Sequence, residues 1–146
     1  MVYFIDKIIT MEQQSSQNNK TLMIVDDDTF LLNIYATRLA KNGFAVSQYA
    51  DPTVALEKMR GGFIPDVLIV DVIMPALSGL DLLEKVRSEK ILPATTTVIV
   101  LTNQSDSAER NRGQSLGIDG YIIKATSIPS EVVDTVIMLS KKHQVK

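Results

Sequence analysis

Four short apolar runs of this sequence each end in a side chain that could take part in chemistry. Asp26 and Asp27 follow the first run, Asp71 closes the second, Thr102 follows the third and Lys124 follows the fourth. If the runs are parallel strands, their carboxyl ends lie along one edge of a sheet, where open α/β sheets bind ligands. We therefore expect three carboxylates, a hydroxyl and an ammonium group to converge on one site.

The chemistry expected of such a site is metal-assisted phosphoryl transfer. Two carboxylates about 4 Å apart repel each other by roughly 4 kcal/mol at an effective dielectric constant near 20, and this repulsion would push a proton onto one of them. A hard divalent cation relieves it, and carboxylate oxygens suit Mg²⁺. An aspartate in this setting can attack phosphorus, and Lys124 and Thr102 could stabilise the charge that develops.

The element that must position Asp71 lies within residues 65–79, where four apolar residues lead into the carboxylate and a loop with proline and glycine follows. This pattern is typical of a strand that is buried on both faces. Similar runs predict strands at residues 21–25, 44–49, 67–71, 97–101 and 120–123. Helical patterns and caps predict helices at residues 29–42, 52–60, 80–89, 105–116 and 130–142. Strand–helix alternation repeated five times predicts an α/β fold, a doubly wound five-stranded parallel sheet with helices on both faces.

Two of the predicted helices have features that bear on the fold. In the first, apolar residues recur at three- and four-residue spacing, and either Asp28 or Thr29 is a natural N-cap. These apolar residues are Phe30, Leu31, Ile34, Tyr35 and Leu39. The helix at 105–116 is predicted to be weak, because Gly113 lies inside it and glycine costs about 1 kcal/mol relative to alanine in a helix.

Composition excludes several classes of function. The 146 residues suit one domain, and 45% of them are hydrophobic, enough for a core. The net charge of −2 and the absence of a basic stripe give no support for nucleic-acid binding. There is no cysteine, and the single histidine, His143, lies near the end of the chain, which argues against thiol, histidine or zinc chemistry. No apolar run approaches the roughly 20 residues of a membrane span.

Each of the candidate residues also has a simpler interpretation. An aspartate after a strand is often a helix cap, and Asp28 is expected to be one. Thr102 alone would be a solvated or capping hydroxyl, and Lys124 alone a surface cation. Five such side chains at the ends of four strands are less easily explained by capping, and the joint pattern favours a site.

Residues 21–142 resemble the receiver domain of bacterial two-component response regulators. The match lies in segments 24–28, 70–75 with Gly79, 100–102 and 120–124, which read IVDDD, VDVIMP, VLT and GYIIK. The resemblance implies the strand order 2-1-3-4-5. It also implies that Asp71 is the phosphoacceptor. Asp27 would bind Mg²⁺ directly, Asp26 mainly through water, and Ile73 through its main-chain carbonyl.

The resemblance further implies how the site would switch. Thr102 and Lys124 would contact the phosphoryl group, with Asn103 beside them, and Tyr121 would change rotamer. A histidine kinase or phosphotransfer protein would supply the phosphoryl group in the cytoplasm. The output would be a protein target or homodimerisation through the 105–116 helix, the fifth strand and the last helix, without nucleic acid or membrane.

The sequence departs from the family pattern at two positions. Ala125 follows Lys124, where receiver domains usually have proline after a cis bond. A cis bond costs about 2.5–4 kcal/mol before a residue other than proline, so we expect either a trans bond with a rebuilt loop or a strained cis bond. Asn103 is bulkier than the small residue common at its position and could restrict access. Ile73 and Gln104 are expected to flank the path of an attacking water, and the apolar Ile73 to slow loss of the phosphoryl group.

The domain expectation is an N-terminal extension at residues 1–20 and a receiver domain at 21–146, acting as a single-domain regulator. The extension has two interpretations. Residues 1–10 could come from a start codon assigned too far upstream, with Met11 as the true first residue. Alternatively, the extension could be an amphipathic segment that docks on a partner or on the domain. Two alternative functions remain. One is a degenerate receiver that only binds proteins. The other is a Mg²⁺-dependent phosphatase of the haloacid-dehalogenase type, whose Asp-x-Asp-x-Thr pattern is not met because Thr29 comes one place early.

Overall fold

The computed structural model describes residues 19–103 and 105–143 of the chain. Its strands are β1 Thr21–Val25, β2 Ala45–Tyr49, β3 Val67–Asp71, β4 Thr97–Thr102 and β5 Gly120–Ile123. Its helices are α1 Thr29–Lys41, α2 Pro52–Arg60, α3 Gly79–Ser88, α4 Ser107–Ser115 and α5 Pro129–Ser140, and a 3₁₀ turn covers Lys124–Thr126. Of the predicted extension at residues 1–20, only residues 19 and 20 are among the described residues. Gln104 also lies outside them.

The five strands form one parallel sheet in the order β2-β1-β3-β4-β5. The predicted fold class and strand order are therefore confirmed. The order reverses direction between β1 and β3, and open α/β sheets bind ligands at such a switch point. The three central strands are buried on both faces, which explains why their sequences are continuous apolar runs.

The core has two layers, one on each face of the sheet. Helices α2 and α3 cover one face, where Leu56 and Leu83 pack on Leu68 and Val70. Helices α1 and α5 cover the other face, where the neighbouring β3 residues Val67 and Ile69 point. Alternate residues of one strand thus feed both layers, as the two-residue period of a strand requires.

The apolar face of α1 differs from the predicted one. The buried side chains are Leu32, Tyr35, Ala36 and Leu39. Phe30, which the spacing placed in the apolar set, is 73% exposed. At 3.6 residues per turn, Phe30 lies about 200° around the helix from Leu32 and therefore on the side opposite the buried residues. The helix itself starts after Asp28, whose Oδ1 accepts a hydrogen bond from Leu31 N–H at 3.1 Å. Asp28 is therefore the N-cap, one of the two predicted alternatives.

The last two helices are shifted slightly from their predicted bounds. Asp106 caps α4, with its Oδ1 accepting from Glu109 N–H at 3.0 Å, so the helix begins at Ser107 rather than at residue 105. Pro129 occupies the first turn of α5, a position where its missing N–H is not needed. Within the described ranges, no helix combines the length and the apolar character needed to cross a bilayer.

Candidate functional site

The register of the sheet brings the ends of four strands together at one edge. Val25 pairs with Val70, so the residues that follow them, Asp26 and Asp71, are neighbours. Leu101 pairs with Asp71, which places the end of β4 beside the end of β3. This common edge is the candidate site.

Asp26 is fully buried, and both of its carboxylate oxygens have partners. Oδ2 lies 2.6 Å from Lys124 Nζ, and Oδ1 accepts a hydrogen bond from Asp28 N–H at 3.0 Å. Buried charges are tolerated when they are paired and hydrogen-bonded. Asp26 therefore holds the lysine ammonium in the site and stabilises the loop that leads into α1.

Asp71 is also buried, with 3% of its surface exposed. Its Oδ2 lies 3.4 Å from Lys124 Nζ. Its Oδ1 is buried and accepts no hydrogen bond from the described residues. A buried carboxylate oxygen without a donor is costly, and such an atom suits a ligand that brings positive charge or hydrogen-bond donors.

The environment changes the acidity of both groups. Burial, together with the nearby Asp26 carboxylate, raises the pKa of Asp71 to about 6, against the opposing effect of Lys124. Burial by itself would lower the pKa of Lys124, but the hydrogen bond to Asp26 and the charge of Asp71 outweigh it, and the pKa of the ammonium is raised. Lys124 therefore stays charged at neutral pH.

The acidic groups fit a divalent metal ion. Asp26, Asp27 and Asp71 each offer a carboxylate oxygen, and these oxygens lie within 4.8 Å of one another. Asp27 is exposed and Asp71 has a free oxygen, so both can reach an ion that keeps some of its water. Oxygen ligands with retained waters are what Mg²⁺ prefers. The side chain of Ile73, on the loop after β3, is 60% exposed.

The remaining predicted residues lie on β4 and β5 or just after them, and they differ in burial. Thr102 is buried at the end of β4, while Asn103 beyond it is exposed. Tyr121 is half-buried on β5. The Lys124–Ala125 bond is trans and lies at the start of the 3₁₀ turn; of the two expected bond geometries, the strained cis bond is therefore not the one found. Lys124 nevertheless reaches both aspartates.

Gly79 also shapes the site, through its backbone alone. A Cβ atom at this position would lie 2.1 Å from the Asp71 carbonyl oxygen, and Gly79 N–H donates to the Val72 carbonyl at 3.0 Å. Ser78 caps α3 by accepting from Asp81 N–H. The sequence signal was the glycine just after a serine cap, but the need for close approach to Asp71 is visible only in three dimensions.

Comparisons with known proteins agree with this architecture. A family model described as "Response regulator receiver domain" matches residues 22–137. The "Probable transcriptional regulator ycf27" of Cyanophora paradoxa is 35% identical over 115 residues, which cover 79% of this chain and 46% of that protein. The chain spans about half the length of the curated relatives it matches.

Two solved structures share the fold. The receiver domain of the Francisella response regulator 1452 is 28% identical, with a TM-score of 0.73, and the match covers 85% of this chain and 98% of that one. A CheY-like receiver domain protein from Methanospirillum hungatei JF-1 is 25% identical, with a TM-score of 0.77, over 86% of this chain and 97% of that one. With the family model spanning most of the sequence, the chain belongs to the response regulator receiver domain family.

Proposed function

We propose that the chain is a phosphorylation-activated signalling switch in which Asp71 accepts a phosphoryl group in a Mg²⁺-dependent reaction. The observation that carries this proposal is the state of Asp71. Its carboxyl is buried beside Asp26 and Lys124, and one of its oxygens has no donor among the described residues. The donor would be a histidine kinase or a phosphotransfer protein in the cytoplasm, where members of this family typically act.

In the proposed reaction, an Asp71 carboxylate oxygen attacks the phosphorus of a phosphohistidine. The new O–P bond forms as the P–N bond breaks, and the imidazole leaves with the electron pair and takes up a proton. Lys124 supplies positive charge beside the developing acyl phosphate, and Asp26 keeps its ammonium in place. The chain would catalyse its own phosphorylation and the later hydrolysis, without turnover on another substrate.

Mg²⁺ would be held by Asp27 and Asp71 directly, by Asp26 mainly through water, and by the main-chain carbonyl of Ile73. When bound, the ion neutralises charge on the transferring group. The protein's own contribution is to bury the nucleophile and to keep the acidic groups on one edge. Members of the family generally bind Mg²⁺, and the acidic cluster fits that ion.

The signal would arise from the added charge of roughly −2 that a protein phosphate carries. We propose that Thr102 and Lys124 contact the phosphoryl group, with Asn103 at the entrance, and that Tyr121 rearranges in response. A face formed by α4, β5 and α5 would then bind a protein target or a second copy of the chain. Moving a population from 1:99 to 99:1 takes about 5.5 kcal/mol of differential stabilisation, which defines the size of the required effect.

The test is incubation of the chain with acetyl phosphate and Mg²⁺, followed by intact mass measurement. We expect a gain of one phosphoryl group that requires Mg²⁺ and is absent in Asp71→Asn. Asp134→Asn, which alters an exposed carboxylate on α5, is the control and should be phosphorylated like the parent. No gain in the parent would contradict the proposal and favour the alternative of a degenerate receiver that only binds proteins.

A further inference from the structure

Helix α4 is held on the molecule largely by polar contacts. Only one of its residues is buried. Arg112 contacts Asp81 and Glu84 of α3, each at 2.7 Å, and Arg87 of α3 donates from Nε to the Leu116 carbonyl at 3.0 Å, just beyond the end of α4. With little apolar surface to anchor it, the position of α4 depends on what its arginines contact.

A further arginine of α4 contacts the half-buried ring of Tyr121. The Arg110 guanidinium carbon lies 4.7 Å from the ring centroid, a cation–π distance. Asp106 N–H, at the cap of the same helix, points to Tyr121 Oη at 3.4 Å. Both the face and the hydroxyl of the ring therefore touch the beginning of α4.

The ring also lies on the strand pair that leads into the candidate site. Tyr121 pairs with Val100 across the β4–β5 ladder, and Thr102 is two residues further along β4. Lys124 follows three residues after Tyr121. Tyr121 is thus close in the sheet to Thr102 and Lys124, the side chains that would contact a phosphoryl group. Arg112, by contrast, contacts α3.

We propose that Arg110 is a positioning residue that holds the Tyr121 ring against α4 in the unphosphorylated protein. Movement of the ring toward Thr102 breaks the Arg110 contact, so the contact opposes switching and ties ring position to helix position. This inference rests on the proposed phosphorylation of Asp71. An exposed cation–π contact of this kind corresponds to about a two- to fivefold shift in a conformational equilibrium.

The test compares the parent with Arg110→Met, Arg110→Lys and Arg112→Met, all labelled with 3-fluorotyrosine and followed by ¹⁹F NMR. The chain has four tyrosines, and Tyr121→Phe identifies the relevant resonance. We expect Arg110→Met to shift this resonance in the unphosphorylated protein and Arg110→Lys to shift it less. Arg112→Met, the matched control on the same helix, should leave it in place.

The functional readout is the acetyl phosphate concentration that gives half-maximal phosphorylation. Arg110→Met should lower it about two- to fivefold, because a contact of the unphosphorylated state is lost. An unchanged Tyr121 resonance in Arg110→Met, or an equal shift in Arg112→Met, would overturn the inference. If the parent is not phosphorylated at all, the proposed function fails, and the resonance in the unphosphorylated variants still decides whether Arg110 holds the ring.

Discussion

The Asp71 carboxyl shows how a single residue can be placed at an energetic disadvantage. It is removed from water, lies beside Asp26, and keeps one oxygen without a donor among the described residues. Lys124 compensates only in part, because its closest contact is with Asp26 and not with Asp71. A residue used only for packing would not need this arrangement, whereas a group that awaits a cation or a phosphoryl group does.

We predict that Asp71→Asn stabilises the metal-free protein at pH 7. The folded pKa of Asp71 is about 6, above its ordinary value of 3.8. Between these values the folded protein keeps a proton that the unfolded chain has lost, so the stability contributed by protonation is complete below pH 3.8 and is lost as the pH rises to 6. The free energy of unfolding lost in this way is as much as about 3 kcal/mol. Asparagine does not titrate, so the variant avoids this loss.

Urea unfolding with a chelator present, at pH 7 and near pH 4, measures this effect. The advantage of Asp71→Asn should be large at pH 7 and small near pH 4. Asp134→Asn should change the free energy of unfolding by about 0.5 kcal/mol or less at both values. An advantage of Asp71→Asn that does not depend on pH would contradict the explanation.

We predict that Gly79→Ala destabilises the protein by about 2–4 kcal/mol, near the upper range for overpacking. The new Cβ would lie 2.1 Å from the Asp71 carbonyl oxygen, and backbone must shift to accommodate it. Phosphorylation of Asp71 should fall as well, because the carboxyl moves with its backbone. The measurement is urea unfolding combined with intact mass.

Gly61→Ala is the matched control for this substitution. Its Cβ would meet the nearest atom, the Glu57 carbonyl oxygen, at 3.4 Å, an ordinary contact, and Gly61 has a helical φ of −75°. Its free energy of unfolding should stay within about 0.5 kcal/mol of the parent. Similar losses in the two variants would show that the close approach at Asp71 is not the cause.

Among the elements, α1 and α4 are attached in different ways. Helix α1 buries four side chains against the sheet, whereas α4 buries only Gly113. Gly113, from which a weak α4 was predicted, also has a packing role: a Cβ at this position would lie 2.7 Å from Ile118 Cδ1. The glycine thus lets the following chain pack closely, and it does so in the helix with the least apolar anchoring.

The corrected face of α1 leads to a prediction about two positions in its first turn. Leu32→Ala should lower the free energy of unfolding by about 2–5 kcal/mol, because Leu32 is 3% exposed. Phe30→Ala should change it by about 0.5 kcal/mol or less, because Phe30 is 73% exposed. Urea unfolding of both variants checks the assignment, and a larger cost at Phe30 would mean that the face is wrongly placed.

At the scale of the whole molecule, Mg²⁺ should stabilise the folded protein, since only the fold brings Asp27 and Asp71 together. At ten times the dissociation constant the gain is about 1.4 kcal/mol, or roughly 3–6 °C in Tm for a chain of this size. Thermal unfolding with and without MgCl₂ measures it. Asp27→Asn should lose most of the shift without unfolding, because Asp27 is exposed.

Asp28→Asn is the matched control for the metal site. Asparagine caps helices as well as aspartate does, so the cap of α1 is kept while a neighbouring charge is removed. This variant should retain most of the Mg²⁺ shift. Equal loss in the two variants would point to general charge screening rather than to a bound ion.

Much of the architecture could be predicted because local patterns and the parallel sheet leave few alternatives. Buried strands appear as apolar runs, Asp51 before Pro52 marks the start of α2, and alternation of strands and helices determines the class. The face of α1 could not be predicted reliably, because Phe30 and Leu32 lie on opposite sides of the helix and both sides carry apolar residues. Sequence spacing alone does not say which of two overlapping apolar stripes meets the sheet.

By itself, the sequence determined which residue types stand at the ends of the strands. It also determined that these residues share one edge of the sheet, because the carboxyl ends of parallel strands lie on the same edge for any conformation of the loops. Only the tertiary structure decided how they pair there. Lys124 lies closer to Asp26 than to Asp71, Gly79 abuts the backbone of Asp71, and Arg110 covers the Tyr121 ring. These contacts join segments far apart in the chain, and their distances depend on register, burial and helix placement, which no local pattern encodes.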